Sequence, residues 1–154
     1  MQINNALEIP FPEGFRKMSE NELAGLKMPE GGESVVLSNE EKHLIFTVGW
    51  KKAGFLGRML STRDLEATMG LLIRKAMKHL DYSETDAGDL EVGGETAEGF
   101  CYRYTAANGT EMSAASYALK KGNTSYYFHL YSRRQLESEN IELVRRILGS
   151  ARWI

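Results

Sequence analysis

The stretch Thr96–Ser132, TAEGFCYRYTAANGTEMSAASYALKKGNTSYYFHLYS, decides the reading of this chain. Three runs rich in Tyr, Phe, Ala and Thr are separated by Asn108-Gly109 and Gly122-Asn123. Each separator is a tight-turn dipeptide, so the stretch predicts a three-strand antiparallel meander over Thr96–Ala106, Glu111–Lys120 and Thr124–Ser132. Asn-Gly favours a two-residue turn with both central residues at positive φ. With two-residue loops at both turns, Ala107 faces Thr110 and Lys121 faces Thr124. Counting outward puts Phe100, Tyr102, Tyr104, Ala115, Tyr117, Leu119, Tyr126, Phe128 and Leu130 on one large apolar face. The other face carries Cys101, Arg103, Met112, Ala114, Ser116, Ala118, Tyr127, His129 and Tyr131.

Upstream of the meander, Leu65, Met69, Leu72, Ile73, Ala76, Met77 and Leu80 form one helical stripe and predict a helix over Ser61–Leu80. Ser61 or Thr62 is its cap. Val35–Leu37 and Lys42–Val48 read as strands joined by a hairpin loop at Ser38–Glu41. Leu7–Phe11 is a short extended segment confined by Pro10 and Pro12. Ser19-Glu-Asn-Glu22 is a capping-box pattern that predicts a short helix carrying Leu23 and Leu26, broken by Pro29-Glu-Gly-Gly32. Leu90 and Val92 make a short strand ahead of Gly93-Gly94. Ser138 caps a last helix with Ile141, Leu143, Val144, Ile147 and Leu148, ended by Gly149.

The resulting order is β-α-β-β-α-β-β-β-β-α in one domain over residues 1–154. It describes an α+β sandwich, an antiparallel sheet flanked by helices. The large apolar face is expected to take the Ser61–Leu80 helix. The small residues Ala114, Ser116 and Ala118 would admit another helix on the opposite face.

Four features carry a family resemblance: the opening Ile9-Pro-Phe-Pro-Glu-Gly-Phe15, the central helix, Gly93-Gly94 before the last strands, and the closing Ile147-Leu-Gly-Ser-Ala-Arg-Trp153. Together with the element order, they make the chain resemble the PsbP-like fold. That fold is shared by the photosystem extrinsic protein, bacterial lipoproteins and the Ran-binding import factor. The resemblance implies a binding or assembly module without catalysis. A START-like helix-grip is the competing architecture, but the terminal helix here is too short for it.

Composition narrows the function classes. The 154 residues are 42% hydrophobic and 26% charged, which excludes a disordered or fibrous chain. A net charge of -2 argues against a nucleic-acid partner. The lone cysteine, Cys101, leaves no disulfide framework and no cysteine-rich metal site, and no cofactor is expected. The N-terminus carries no signal pattern, no apolar run spans a bilayer, and the expectation is a cytoplasmic protein without a membrane partner.

Two constellations bear on function. Cys101, Ser116 and His129 fall in one row of the derived register, so a thiol enzyme using Cys101 and His129 is one alternative. The other constellation is the Trp50–Arg58 loop, in which Trp50, Phe55 and Leu56 are interleaved with Lys51, Lys52, Arg58 and glycines. Aromatic and basic residues on a long loop are what protein interfaces enrich. These six residues are therefore the expected contact surface for a protein partner or a second copy of the chain. The acidic run Glu84, Asp86, Asp89, Glu91, Glu95 and Glu98 offers a surface of opposite sign. A carrier of a small hydrophobic ligand, held between the large aromatic face and the long helix, is the remaining alternative.

Overall fold

A computed structural model of the chain describes residues 1–23, 32–85 and 88–154. The expected Leu26 of the short helix, the Pro29–Gly31 break and Asp86 lie outside the described residues.

The meander forms as expected in outline: β8 (Glu95–Thr105), β9 (Glu111–Lys121) and β10 (Thr124–Arg133) pair antiparallel. Upstream come β1 (Gln2–Ile3), β2 (Leu7–Glu8), β3 (Arg16–Lys17), α1 (Glu20–Leu23), β4 (Glu33–Asn39), β5 (Leu44–Lys52), α2 (Thr62–Met77), β6 (Ser83–Thr85) and β7 (Leu90–Val92). Downstream are α3 (Glu137–Gly149) and β11 (Arg152–Trp153). The main sheet runs β3-β4-β5-β10-β9-β8-β6, and β1-β2-β11 form a small second sheet. The fold class is the expected α+β antiparallel sheet flanked by helices, with the short strands β1, β3, β6 and β11 added.

The expected capping box at Ser19 forms, and Ser61, one of the two expected caps, makes a second box with Asp64. Ser61 Oγ accepts from Asp64 N at 3.2 Å, and Asp64 Oδ2 accepts from Ser61 N at 2.9 Å. Ser19 and Glu22 make the same exchange at 3.3 and 2.7 Å. The cap of α3 differs from expectation. Leu136, not Ser138, occupies the N-cap, with no side-chain bond, and Glu137 instead ties the helix start to the sheet through Arg103 and Ser113.

The register of the first hairpin departs from the two-residue reading. Gly109 N donates to Ala106 O at 2.8 Å and Ala106 N to Thr110 O at 2.9 Å, so the loop is Ala107-Asn108-Gly109. Gly109 alone takes positive φ, +87°, while Asn108 does not. This is a type I turn closed by a glycine bulge. It shifts the pairing by one residue, to Cys101↔Ala115 and Phe100↔Ser116. A one-residue slip moves every side chain of a strand to the other face. The second hairpin keeps the expected Lys121↔Thr124 pair, with Gly122 at φ +59°.

The slip redistributes the core. Phe100 and Tyr102 join Ala114 and Ala118, and α2 lies on them through Leu65, Met69 and Ile73. Cys101 joins Tyr117, Leu119, Tyr126, Phe128 and Leu130 on the opposite face, under Val144, Ile147 and Leu148 of α3 and Ile3 and Leu7 of the small sheet. The long helix thus takes the small-residue face rather than the large one, because the buried Ala114 and Ala118 let its backbone approach. Its apolar stripe is narrower than expected, since Leu72 is 41% exposed. Each core aliphatic or aromatic side chain buried here contributes about 1.5–3 kcal/mol.

Candidate functional site

Trp50, Lys51 and Lys52 are not loop residues. They continue β5, with Trp50 opposite Glu33 on β4 and Tyr126 on β10, and Lys52 opposite Thr124. Neighbouring strands satisfy the backbone there, which is what extends the strand past the end of its apolar alternation. Trp50 is half-buried against the core, and its Nε1 donates to Glu33 Oε2 at 2.9 Å. Lys51 and Lys52 are exposed beside it and line an open cleft of about 500 Å³ with Glu33, Asn4 and Thr124.

The connection proper is residues 53–61. Its base is held at several points. Ala53 N donates to Asn123 O at 2.6 Å. Lys120 Nζ donates to Gly57 O at 2.5 Å and to Leu60 O at 3.2 Å, and Lys120 N donates to Thr62 Oγ1 at 3.0 Å. A short turn of 3-10 helix, Gly57–Met59, then leads into the Ser61 cap. The carboxyl of Asp64 is held below the ordinary range by its bonds from Ser61.

On this fixed base the apolar tip stands in solvent. Phe55 is 87% exposed, Leu56 78% and Met59 85%, with Leu60 at 43%. Arg58 is exposed among them. Of the six residues expected at a contact surface, Phe55, Leu56 and Arg58 share the tip, Lys51 and Lys52 lie exposed on the strand that leads into it, and Trp50 is instead turned to the core on the α3 side. Met59 and Leu60 were not in that set. Their identity as apolar residues next to Arg58 was visible in the sequence, but which apolar residues of the connection turn inward is decided by where Lys120 holds the chain.

Charge around the tip is one-sided. Among the described residues Lys51, Lys52 and Arg58 make no ion pair, whereas three members of the acidic run do. Glu84 pairs with Arg74 and accepts from Tyr82, Glu95 lies 2.7 Å from Lys121, and Glu98 lies 3.9 Å from Arg63. The Glu84 carboxyl is lowered chiefly by the Arg74 guanidinium. Three acids of the run are thus held in internal ion pairs, while the exposed Asp89 and Glu91 are in none among the described residues, Glu91 accepting from Thr96 Oγ1 at 2.9 Å.

The Cys101, Ser116 and His129 row does not exist. Ser116 and His129 do meet, with Ser116 Oγ 2.8 Å from His129 Nδ1 and 3.1 Å from Tyr102 OH. Cys101 lies on the other face, 2% exposed, its Sγ 3.9 Å from Tyr117 OH. The thiol reading fails on the hairpin slip. The cleft expected between the aromatic face and the long helix is also absent, because α2 lies on the other face and α3 fills that space.

No family model and no curated protein matches the sequence. Solved structures do match in three dimensions. Cyanobacterial PsbP (CyanoP) from Synechocystis sp. PCC 6803 is similar with a TM-score of 0.67 at 12% identity, over 99% of this chain and 89% of that one. The fold is PsbP-like. LpqN, involved in cell envelope biogenesis of Mycobacterium tuberculosis, is similar with a TM-score of 0.60 at 11% identity, over 96% of this chain and 82% of that one. Immunity protein TplEi of the T6SS from Pseudomonas aeruginosa, solved in complex with a peptide, is similar with a TM-score of 0.53 at 14% identity. The alignment covers 96% of this chain but 58% of that one, and a further matching chain, from Bacteroides thetaiotaomicron, is spanned over 45% of its length. These PsbP-like neighbours serve differing settings, and what they share with this chain is the scaffold.

Proposed function

We propose that this PsbP-like chain is a non-catalytic binding module, and that the connection between β5 and α2 is its contact surface for a protein partner. One observation carries the reading: an apolar tip of Phe55, Leu56 and Met59 is exposed while its base is hydrogen-bonded to Lys120 and Asn123. A tip pre-ordered in this way loses little conformational entropy when a partner covers it. The peptide-bound state of the TplEi neighbour is consistent with a protein partner.

The double substitution Phe55→Ser, Leu56→Ser tests this. With both side chains already in solvent, the melting temperature should stay within a degree or two of the wild type, a stability change of about 0.5 kcal/mol or less. A photo-crosslinking residue placed at Leu56 should give protein adducts in the source cell that the same residue at the exposed Glu142 of α3 does not. A large fall in melting temperature, or identical adducts from both positions, would overturn the assignment.

A further inference from the structure

The relief and the charge of this surface define the chemistry of its partner. Resting on the contact surface proposed above, we infer that it binds an acidic peptide segment that also carries apolar side chains.

Two observations converge. First, the cations Lys51, Lys52 and Arg58 have no ion-pair partner among the described residues, although Lys121, Arg63 and Arg74 are each paired with a glutamate. Cations left without a counter-ion at the rim of an apolar patch select a partner of opposite sign and steer its approach. Second, the surface is both convex and concave. The tip of Phe55, Leu56 and Met59 follows directly in the chain on the end of β5, where Lys51 and Lys52 line a cleft of about 500 Å³ together with Glu33, whose carboxylate accepts from Trp50 Nε1. A flexible peptide can lay apolar side chains on the tip and place a carboxylate in the cleft. Charged residues at the rim then set which partner binds, and the apolar tip sets how tightly.

Selection of random twelve-residue peptides displayed on phage, with the full-length protein as target, tests this without presupposing a sequence. Selected peptides should be enriched in Asp and Glu over Lys and Arg and should contain Leu, Phe or Trp. Their affinity, read by fluorescence anisotropy, should fall by about tenfold between low and physiological salt, and by at least about tenfold in the Lys51→Glu, Lys52→Glu, Arg58→Glu variant. Circular dichroism checks that this variant is folded. The Phe55→Ser, Leu56→Ser variant separates the two levels of the argument. Loss of binding there, with no acidic enrichment and no effect of charge reversal, would keep the contact surface and overturn the acidic partner. Binding unaffected by either variant would overturn both. Failure to select any peptide, concentration-dependent dimerisation lost in the double serine variant, or sedimentation with phosphatidylglycerol vesicles in place of peptide binding would each overturn the inference.

Discussion

Gly99 sits in β8 opposite Tyr117, where strand and neighbour approach too closely for any side chain. A Cβ built there would stand 1.9 Å from Ser116 O and 2.7 Å from Tyr117 Cα, both backbone atoms that cannot swing aside. Gly99→Ala is therefore expected to destabilise the protein by about 3 kcal/mol, at the upper end for overpacking, as read from urea unfolding midpoints. A variant as stable as wild type would show that the strands part easily at this point. Cys101 provides a second residue-scale outcome. It is buried in the α3 face, away from the Ser116–His129 pair, so iodoacetamide should label it only after unfolding, at any pH from neutral to alkaline. Rapid labelling of the folded protein would place it at a surface after all. The composition of the Cys101 region was plain in the sequence. Its sidedness was not, because Asn108-Gly109 fits both a two-residue turn and a three-residue loop with a glycine bulge. The choice between them is made by the packing of Phe100 and Tyr102 under α2.

Two serines that look alike in sequence behave differently as elements. Ser61 is an N-cap with a reciprocal Asp64, and its removal frees an amide at the start of α2. Ser61→Ala should cost about 1 kcal/mol. Ser138 lies within the first turn of α3, which Glu137 secures through Ser113 Oγ at 2.6 Å and Arg103 Nε at 3.1 Å. Ser138→Ala should leave the thermal midpoint almost unchanged. Equal losses from both would mean that Ser138 does cap α3. Capping is legible where the serine and an acid exchange bonds over a short local span, as at Ser19 and Ser61. It is not legible at α3, whose start is held by residues of β8 and β9 that are distant in sequence. For the same reason the helix at 62–77 was readable from its spacing, while the continuation of β5 through Trp50 to Lys52 was not. That extension depends on strands β4 and β10, which meet it only in the fold.

Across the whole molecule, paired carboxylates tie separate elements together. Glu137 joins α3 to β8 and β9, Glu84 joins β6 to α2, Glu8 joins β2 to β11 through Arg152, and Glu22 is bound by Arg16, which holds its carboxyl down at about 2. The carboxyls of Glu137, Glu84 and Glu8 also lie below the ordinary 4.5, chiefly through hydrogen bonds from Arg103, Arg74 and Arg152. Such groups bind protons less tightly folded than unfolded, so stability rises with pH over their range. Their contribution is full above about pH 5 and is lost as pH falls toward 2. Urea midpoints measured across that window should decline steadily. Glu137→Gln should lower the midpoint at neutral pH and flatten the acid limb. An unchanged acid limb in that variant would remove Glu137 from the set.

At this scale the sequence by itself determined the α+β class, the element order through the meander, the capping box at Ser19, the cap of the long helix to within Ser61 or Thr62, and the concentration of apolar and basic residues between Trp50 and Leu60. All of these rest on interactions between residues near each other along the chain. The tertiary structure alone decided the face on which Cys101 lies, the face that receives α2, the length of β5, and the pairing of the acidic run with Arg63, Arg74 and Lys121. It also decided that Phe55, Leu56 and Met59 point to solvent while Trp50 does not. The reason is common to all of them: each depends on a contact between distant segments, and a one-residue change of strand register or a single bond from Lys120 selects between arrangements that local sequence leaves nearly equal in energy.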